Sequence, residues 1–101
     1  MLMIRYYKTV NGRIRPQLEN GCWINVVNPD EREINELLTR FSLEPDFLRA
    51  ALDEEESSRI ETEDGVTLII IDAPVAVRDE TGVNYSTLPV GILVTDTNVI
   101  T

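Results

Sequence analysis

Residues 23–41, WINVVNPDEREINELLTRF, join a strand pattern to a helix pattern across one Asn-Pro pair. Bulky and β-branched side chains dominate residues 22–27, and such side chains fit a pleated sheet. Asn28 suits the N-cap of the next element, Pro29 its first position and Glu31 the reciprocal place in a capping box. The stretch therefore predicts a strand followed directly by a helix.

The predicted helix, over residues 29–41, has one apolar side. Its stripe has the spacing of a single helix face: Ile34, Leu37, Leu38 and Phe41. A second, shorter helix is predicted from Pro45 to about Asp53. Its apolar residues also share one side: Phe47, Leu48, Ala51 and Leu52. Because such stripes pack against other apolar surfaces, we expect both helices to lie on one face of a sheet.

The residues before this stretch predict a hairpin. Apolar side chains roughly alternate with polar ones over residues 1–10, which is the period of a half-buried strand. Asn11-Gly12 favours a two-residue turn, since both residues tolerate positive φ. A short strand around residues 13–17 follows, and Pro16 should keep it at the edge of the sheet. Another turn, at residues 19–21, leads back to the strand quoted above.

The residues after the two helices predict the rest of the sheet. A strand resumes at Arg59-Ile60, and Asp64-Gly65 favours a hairpin into a long apolar strand over residues 66–77. A strand that is apolar along its whole length is typical of a position with covered faces. We therefore expect residues 66–77 at the centre of the sheet.

Two more strands complete the pattern. A polar connection over residues 78–84 leads to a strand over residues 85–94, in which Pro89 marks an irregularity or an edge. After a turn at residues 96–98, a last β-like segment begins at residues 99–101. Because that segment stops without a turn or polar tail, we expect the chain to be a piece of a longer protein.

The expected fold class is α+β, in a single domain over residues 1–101. It comprises a mixed, mainly antiparallel sheet with the helices near residues 29–41 and 45–53 packed on one face. Absent helices are expected to cover the other face. The chain alone should then expose an apolar patch larger than a complete monomer shows, and should self-associate.

Composition excludes several classes of partner. The 101 residues suffice for one modest core. Eighteen acidic residues against nine basic ones, with no histidine, give a net charge of −9, which repels nucleic acid phosphates and anionic lipid headgroups. No apolar stretch approaches the roughly 20 residues that span a bilayer. Carboxylates do suit hard divalent cations such as Mg²⁺, which prefer oxygen ligands.

Catalytic motifs are missing from the sequence. Cys22 is the single cysteine, so it has no internal disulfide partner, and we expect it to be buried as a small apolar residue. Without histidine there is no zinc cluster and no Cys–His nucleophilic pair. Glycine-rich phosphate loops and hydrolase nucleophile motifs do not occur. The chain is not expected to be an enzyme, although its many carboxylates leave an acid/base pair open.

An acidic run follows the second helix. It consists of Asp53, Glu54, Glu55 and Glu56. One interpretation is a solvated helix end and loop, where exposed negative charge is tolerated. The other interpretation is a site for a divalent cation.

Several pieces of the sequence, in this order and spacing, resemble the soluble amino-terminal domain of CorA-type transporters. They are residues 23–29, the helix to Phe41, Leu43-Glu44-Pro45, Arg59-Ile60-Glu61, the apolar residues 66–71, and the closing residues 88–94 and 98–101. The resemblance covers nearly the whole chain from Cys22 onward. In that family, long helices and two membrane spans near the carboxyl terminus follow the domain.

The resemblance implies a homopentameric, channel-like transporter of Mg²⁺ that also passes Co²⁺ or Ni²⁺. The intact protein would lie in the cell membrane, with this domain on the cytoplasmic side in a regulatory and structural role. Mg²⁺ bound between neighbouring subunits would hold the pore closed. Such regulation is ligand linkage, because the cation favours the state in which acidic faces lie close together.

The sequence departs from the family pattern at the sensing position. Several relatives carry adjacent acids on the short second helix, where this chain has Arg49 and Ala50. The acidic run from Asp53 to Glu56 lies about one turn further on and would supply replacement oxygens for Mg²⁺. The alternative to a transporter domain is a free-standing acidic protein-interaction module. The two differ in whether the reading frame continues into two apolar segments of membrane-spanning length.

Overall fold

A computed structural model of the chain describes residues 3–101, which form seven strands and two helices. These are β1 (Met3–Val10), β2 (Arg13–Pro16), β3 (Trp23–Val27), α1 (Glu31–Phe41), α2 (Pro45–Ala51), β4 (Arg59–Glu63), β5 (Val66–Asp79), β6 (Gly82–Val94) and β7 (Val99–Ile100). Met1 and Leu2, which the predicted first strand included, lie outside the described residues.

All seven strands form one sheet, in the order β2-β1-β3-β7-β6-β5-β4. The β3–β7 pair is parallel and every other pair is antiparallel. The two helices follow each other in the chain, and their buried residues belong to the same core cluster as one face of the sheet. The predicted fold class, an α+β domain with a mixed, mainly antiparallel sheet, is confirmed.

The predicted hairpins form at both Xaa-Gly turns. Asn11 and Gly12 have φ of 52° and 77°, and Asp64 and Gly65 have φ of 51° and 80°. Two consecutive positive φ values match the twist of the flanking strands, which is why these pairs favour tight hairpins. Pro16 ends β2, which is an edge strand as predicted.

The start of α1 differs from the prediction. Asp30, not Asn28, is the N-cap: its Oδ1 accepts a hydrogen bond of 2.8 Å from the Glu33 amide, and Glu33 Oε1 accepts one of 3.2 Å from the Asp30 amide. Asn28 instead has φ of 48°, in the left-handed region, and turns the chain out of β3. Asn tolerates this conformation, so the same residue type suited either role. The helix therefore begins at Glu31.

The second helix is shorter than predicted and ends at Ala51. Leu52 is its C-cap and is 41% exposed, so it does not join the buried side formed by Phe47 and Leu48. The Asp53 amide bonds to the carbonyl of Ala50 three residues back, at 3.2 Å, which tightens the turn and ends the helix.

The long apolar strand is not at the centre of the sheet, contrary to the prediction. β5 lies next to the edge strand β4, and the two-residue β7 occupies the middle. From Asp72↔Pro89 to Asp79↔Gly82, β5 and β6 pair only with each other and form a two-stranded ribbon. The edge expected at Pro89 is therefore present.

The ribbon also replaces the polar connection predicted over residues 78–84. Strand pairing continues to a two-residue turn at Glu80-Thr81. Asp79 stabilises this turn, because its carboxylate accepts hydrogen bonds from the Thr81 amide at 2.8 Å and from the Asn84 side chain at 2.8 Å. Polar side chains here close a tight turn instead of forming a loop.

The core lies between the helices and the middle of the sheet. Its members are Cys22, Ile24, Leu37, Leu43, Phe47, Leu48, Val66, Leu68, Ile70, Leu93 and Ile100. Ile24 and Leu68 are completely buried, and they come from the two halves of the sheet on either side of β7. One core therefore unites both halves of the sheet.

Candidate functional site

The sheet face opposite the helices is the candidate site. Side chains alternate between the two faces of a strand, so the neighbours of core residues point away from the helices. Strand register connects one row of such residues across all seven strands: Thr62, Thr67, Val94, Val99, Trp23, Tyr7 and Pro16. We call this surface the open face.

A second row on the open face is formed by isoleucines. Ile60, Ile69 and Ile92 are cross-strand neighbours on β4, β5 and β6. Ile60 is 71% exposed, and Ile71, two residues further along β5, is 45% exposed. Branched apolar side chains thus continue from the edge strand towards the middle of the sheet. Exposed apolar side chains therefore lie on the side of the sheet away from both helices.

Trp23 is held in a fixed position on this face although 42% of its surface is exposed. Its ring centroid lies 5.2 Å from that of Tyr7. Its Nε1 donates a 2.8 Å hydrogen bond to Thr101 Oγ1, and that hydroxyl lies 3.2 Å from Asn25 Oδ1. An aromatic side chain that is both exposed and oriented is typical of a contact surface.

The four predicted metal ligands do not converge on one point. Asp53 Oδ1 accepts the Glu55 amide at 2.9 Å, and Glu56 is paired with Arg59. Arg59 also lies 3.0 Å from Glu61. Within residues 3–101 no group of three or more acidic or cysteine side chains is placed to hold a metal ion. A cation site at Asp53, Glu54, Glu55 and Glu56 stays a prediction.

Buried polar contacts tie the last strand to the third. Asn98 is almost fully buried, and its Nδ2 donates to the carbonyl oxygen of Cys22 at 3.1 Å and to that of Glu19 at 3.3 Å. Cys22 is buried as predicted. Beyond the turn at residues 96–98, no structural role for Asn98 was predicted from the sequence. Its only signal was a polar side chain directly before an apolar pair that turned out to be a central strand.

A small apolar cavity lies between α2 and β6. Its volume is about 190 Å³, and its lining includes Leu48, Leu52, Val90 and Ile100, with Thr101 the one polar side chain among the lining residues. Typical ligand pockets are larger, about 300–1,000 Å³, and combine apolar walls with several converging polar groups. The cavity therefore does not have the chemistry of a catalytic centre.

Comparison with known proteins agrees with this architecture. The sequence model of the family described as CorA-like Mg²⁺ transporter protein matches residues 19–101. The chain belongs to this family. The resemblance to CorA inferred from the sequence is thereby confirmed. Among curated proteins, none matches the chain.

Two solved CorA structures from Methanocaldococcus jannaschii share the fold. The complete CorA magnesium transporter is 21% identical over 99% of this chain, with a TM-score of 0.74, and the CorA soluble domain is 24% identical over 97%, with a TM-score of 0.76. The matched region is 32% of the first structure's chain and 39% of the second's. This CorA-family chain thus spans well under half of either relative. In residues 3–101, neither helix has the length and apolar character to cross a membrane.

Proposed function

We propose that this chain is the regulatory and structural cytoplasmic domain of a divalent cation transporter, with Mg²⁺ and Co²⁺ as the cations carried. The intact protein would be a homopentamer in the cell membrane. The main support is the CorA family match over residues 19–101. In this proposal the chain contributes no permeation residues and no catalysis, and its role is to transmit cation binding to the pore.

The open face supports a role inside a larger assembly. Soluble monomers rarely expose contiguous apolar patches above a few hundred Å². Here apolar side chains form a row over β6, β7, β3, β1 and β2 that includes the oriented side chain of Trp23: Val94, Val99, Trp23, Tyr7 and Pro16. We propose that helices from the remainder of the transporter chain cover this face. Burial of apolar surface, at about 25 cal/mol per Å², would then couple the domain rigidly to the membrane part.

Regulation would follow from cation binding at the acidic run. Glu54 and Glu55 are exposed and form no ion pair within the described residues, so their carboxylates face solvent. Oxygen ligands from a neighbouring subunit would complete the coordination of Mg²⁺. A cation that binds only when two subunits approach shifts the population towards that arrangement.

The transport role is tested with a chimera. The soluble domain of the Methanocaldococcus jannaschii transporter is replaced by this chain, and Mg²⁺ uptake is followed in cells that lack their own uptake system. We expect uptake that falls as internal Mg²⁺ rises. A chimera that inserts in the membrane and transports Mg²⁺ without such dependence would overturn the regulatory role. A native gene without two downstream apolar segments of about 20 residues would overturn the transporter assignment.

The sensing site is tested separately by titrating Mg²⁺ into the chimera and into a Glu54→Gln/Glu55→Gln variant of it. We expect the variant to need several-fold more Mg²⁺ for closure, because two of the anionic ligands are lost. Glu31→Gln/Glu36→Gln on α1 removes the same charge from another surface and should leave the Mg²⁺ dependence unchanged. Equal shifts in both variants would show a general charge effect and contradict the site.

A further inference from the structure

The two edges of the sheet carry opposite charge. All 18 acidic residues lie from Glu19 onward, whereas four of the nine basic residues precede it. The edge strand β2 presents Arg13 and Arg15, both exposed and without an ion pair in the described residues. The opposite edge strand β4 presents Glu61 and Glu63, and its first residue, Arg59, is paired with Glu61. The charge of one edge therefore complements that of the other.

The exposed backbone groups of the two edges also alternate in a compatible way. In a two-residue hairpin the residues that flank the turn exchange both backbone hydrogen bonds, and the next residue points its N–H and C=O outward. On β2 the outward residues are Ile14 and Pro16. On β4 they are Thr62 and Ile60. Proline lacks an N–H, so this pair of edges offers three hydrogen bonds.

We propose that β2 of one copy pairs with β4 of a second copy and extends the sheet across both, with Ile14 opposite Thr62. The pairing is antiparallel, because β2 and β4 run in opposite directions within the sheet and a copy added in the same orientation keeps those directions. Ile14 and Thr62 both lie on the open face, whereas the charged residues lie on the helix side. The open faces of the two copies would then be continuous.

Charge selects this register over its neighbours. With Ile14 opposite Thr62, Arg13 faces Glu63 and Arg15 faces Glu61. Opposite charges directly across a strand pair attract, whereas like charges repel. A slip of two residues in one direction brings Arg15 opposite Arg59, and a slip in the other direction leaves Arg13 without an acidic partner. The proposed register is the one in which both arginines meet glutamates.

The same charges disfavour pairing between two β2 edges, because it would bring arginines together. Two β4 edges paired with Thr62 opposite Thr62 would likewise bring glutamates together. The proposed β2–β4 contact is head-to-tail, and head-to-tail contacts repeat into a closed ring or an open chain. Because β2 has only four residues and exposed ion pairs are weak, the contact should be weak and sensitive to salt.

This inference goes beyond the proposed transport function and does not depend on it, since two complementary edges associate whatever the assembly carries. Two charge-reversal variants test it: Arg13→Glu/Arg15→Glu and Glu61→Arg/Glu63→Arg. Each alone faces like charges across the contact, so we expect its association constant at low salt to fall roughly tenfold. An equimolar mixture should restore association, because each reversed edge now meets a complementary one.

Sedimentation equilibrium measures the association constants, and NMR amide shifts of the labelled variant show where the mixture makes contact. Arg32→Glu/Arg49→Glu, on the helices, changes the net charge by as much as Arg13→Glu/Arg15→Glu does and should associate like the parent chain. Circular dichroism confirms that each variant is folded. Recovery in the mixture with shifts at residues 13–16 and 59–63 supports the pairing. A mixture that stays dissociated, or shifts confined to β3, β7 and β6 in the middle of the sheet, would overturn it and leave the transport proposal standing.

Discussion

Gly91 on β6 and Ala51 at the end of α2 are in direct contact: a Cβ placed on Gly91 would lie 2.3 Å from the Ala51 Cβ and 2.6 Å from its Cα. Real Cβ atoms essentially never approach other atoms this closely, and a backbone atom of a packed helix does not rotate away. Glycine at position 91 thus lets the second helix lie directly on the sheet.

We expect Gly91→Ala to lower the free energy of unfolding by about 1–3 kcal/mol, the usual range for overpacking a core. Urea denaturation followed by circular dichroism measures the loss. Ser86→Ala, at an exposed position of the same strand, should change stability by less than about 0.5 kcal/mol. Equal stability of the two variants would show that α2 moves freely over β6.

Asn98→Ala should destabilise the junction between β3 and β7. The Asn98 side-chain amide donates to the carbonyls of Glu19 and Cys22, and its removal takes one hydrogen-bond donor from each of these acceptors. The expected loss is about 1–3 kcal/mol in the free energy of unfolding. Asn35→Ala, on the exposed side of α1, is the matched control. Both are compared by thermal unfolding, and a loss of similar size in the control would remove the special role of Asn98.

The capping box of α1 gives a test of whether Asp30, and not Asn28, is the N-cap. Asp30→Ala should cost about 0.5–2 kcal/mol, because the Glu33 amide loses its acceptor. Asp30→Asn keeps an acceptor oxygen and should be nearly neutral. Urea unfolding of the two variants is the measurement. If Asp30→Ala left stability unchanged, the first turn of the helix would have to be capped by water or by another side chain.

The ribbon tip should weaken at low pH. Hydrogen bonds from the Thr81 hydroxyl and amide, and from Asn84, hold the pKa of Asp79 below its ordinary value. A carboxylate whose pKa is lower in the folded state adds stability above its unfolded pKa, near 3.9 for Asp, and that stability is lost as pH falls through the folded pKa. We therefore expect the Thr81 amide to lose hydrogen-exchange protection below about pH 4.

The pH effect has a direct control in Asp79→Asn. This variant has no titrating group at the turn, so protection of Thr81 should be independent of pH over the same range. NMR of the Asp79 carboxyl carbon supplies the pKa itself. A value at or above the ordinary one for Asp would contradict the role of these hydrogen bonds.

The open face should bind apolar probes and promote self-association. Ile60→Thr/Ile71→Thr removes two of its exposed apolar side chains, and both positions remain suitable for strands. We expect weaker fluorescence of an apolar dye and a smaller weight-average mass in sedimentation. Thr39→Val, added to this double variant, gives new apolar surface on the helix side. It should restore neither the dye fluorescence nor the weight-average mass. An unchanged dye signal would mean that the apolar rows are not accessible.

Local chemistry made much of the fold predictable. Residues close together in the sequence determine both Xaa-Gly hairpins, the edge position of Pro16 and the end of α1 at Phe41. The error at Asn28 has the same origin, because asparagine suits an N-cap and a left-handed turn equally well. Only the position of Asp30, with Glu33 three residues on, separates the two, and both residues were visible in the sequence.

Strand order was not predictable in the same way. The apolar run over residues 66–77 suggested a central strand, but its second half is an exposed ribbon and the centre belongs to Val99-Ile100. The apolar content of a strand indicates that its two faces are covered. It does not indicate which strands are its neighbours in the sheet. An apolar patch on the face away from the helices was predicted. The residues that form its rows could not be predicted, because they depend on the register of all seven strands. The acidic run remains a prediction, because within the described residues its four carboxylates do not form a group that could hold a metal ion.

The position of β7 has a consequence for how the molecule is made. Its two residues separate the three strands that are synthesised first from the three that come after the helices, and they complete the hydrogen bonding between them. During synthesis on a ribosome, the β1–β2 hairpin and the later β4–β5–β6 hairpins can each form by themselves. The two halves of the sheet pair with each other only after Ile100 has left the exit tunnel, because β7 lies between them. Closure of the sheet therefore waits for β7, and nascent chains halted before it should remain sensitive to protease.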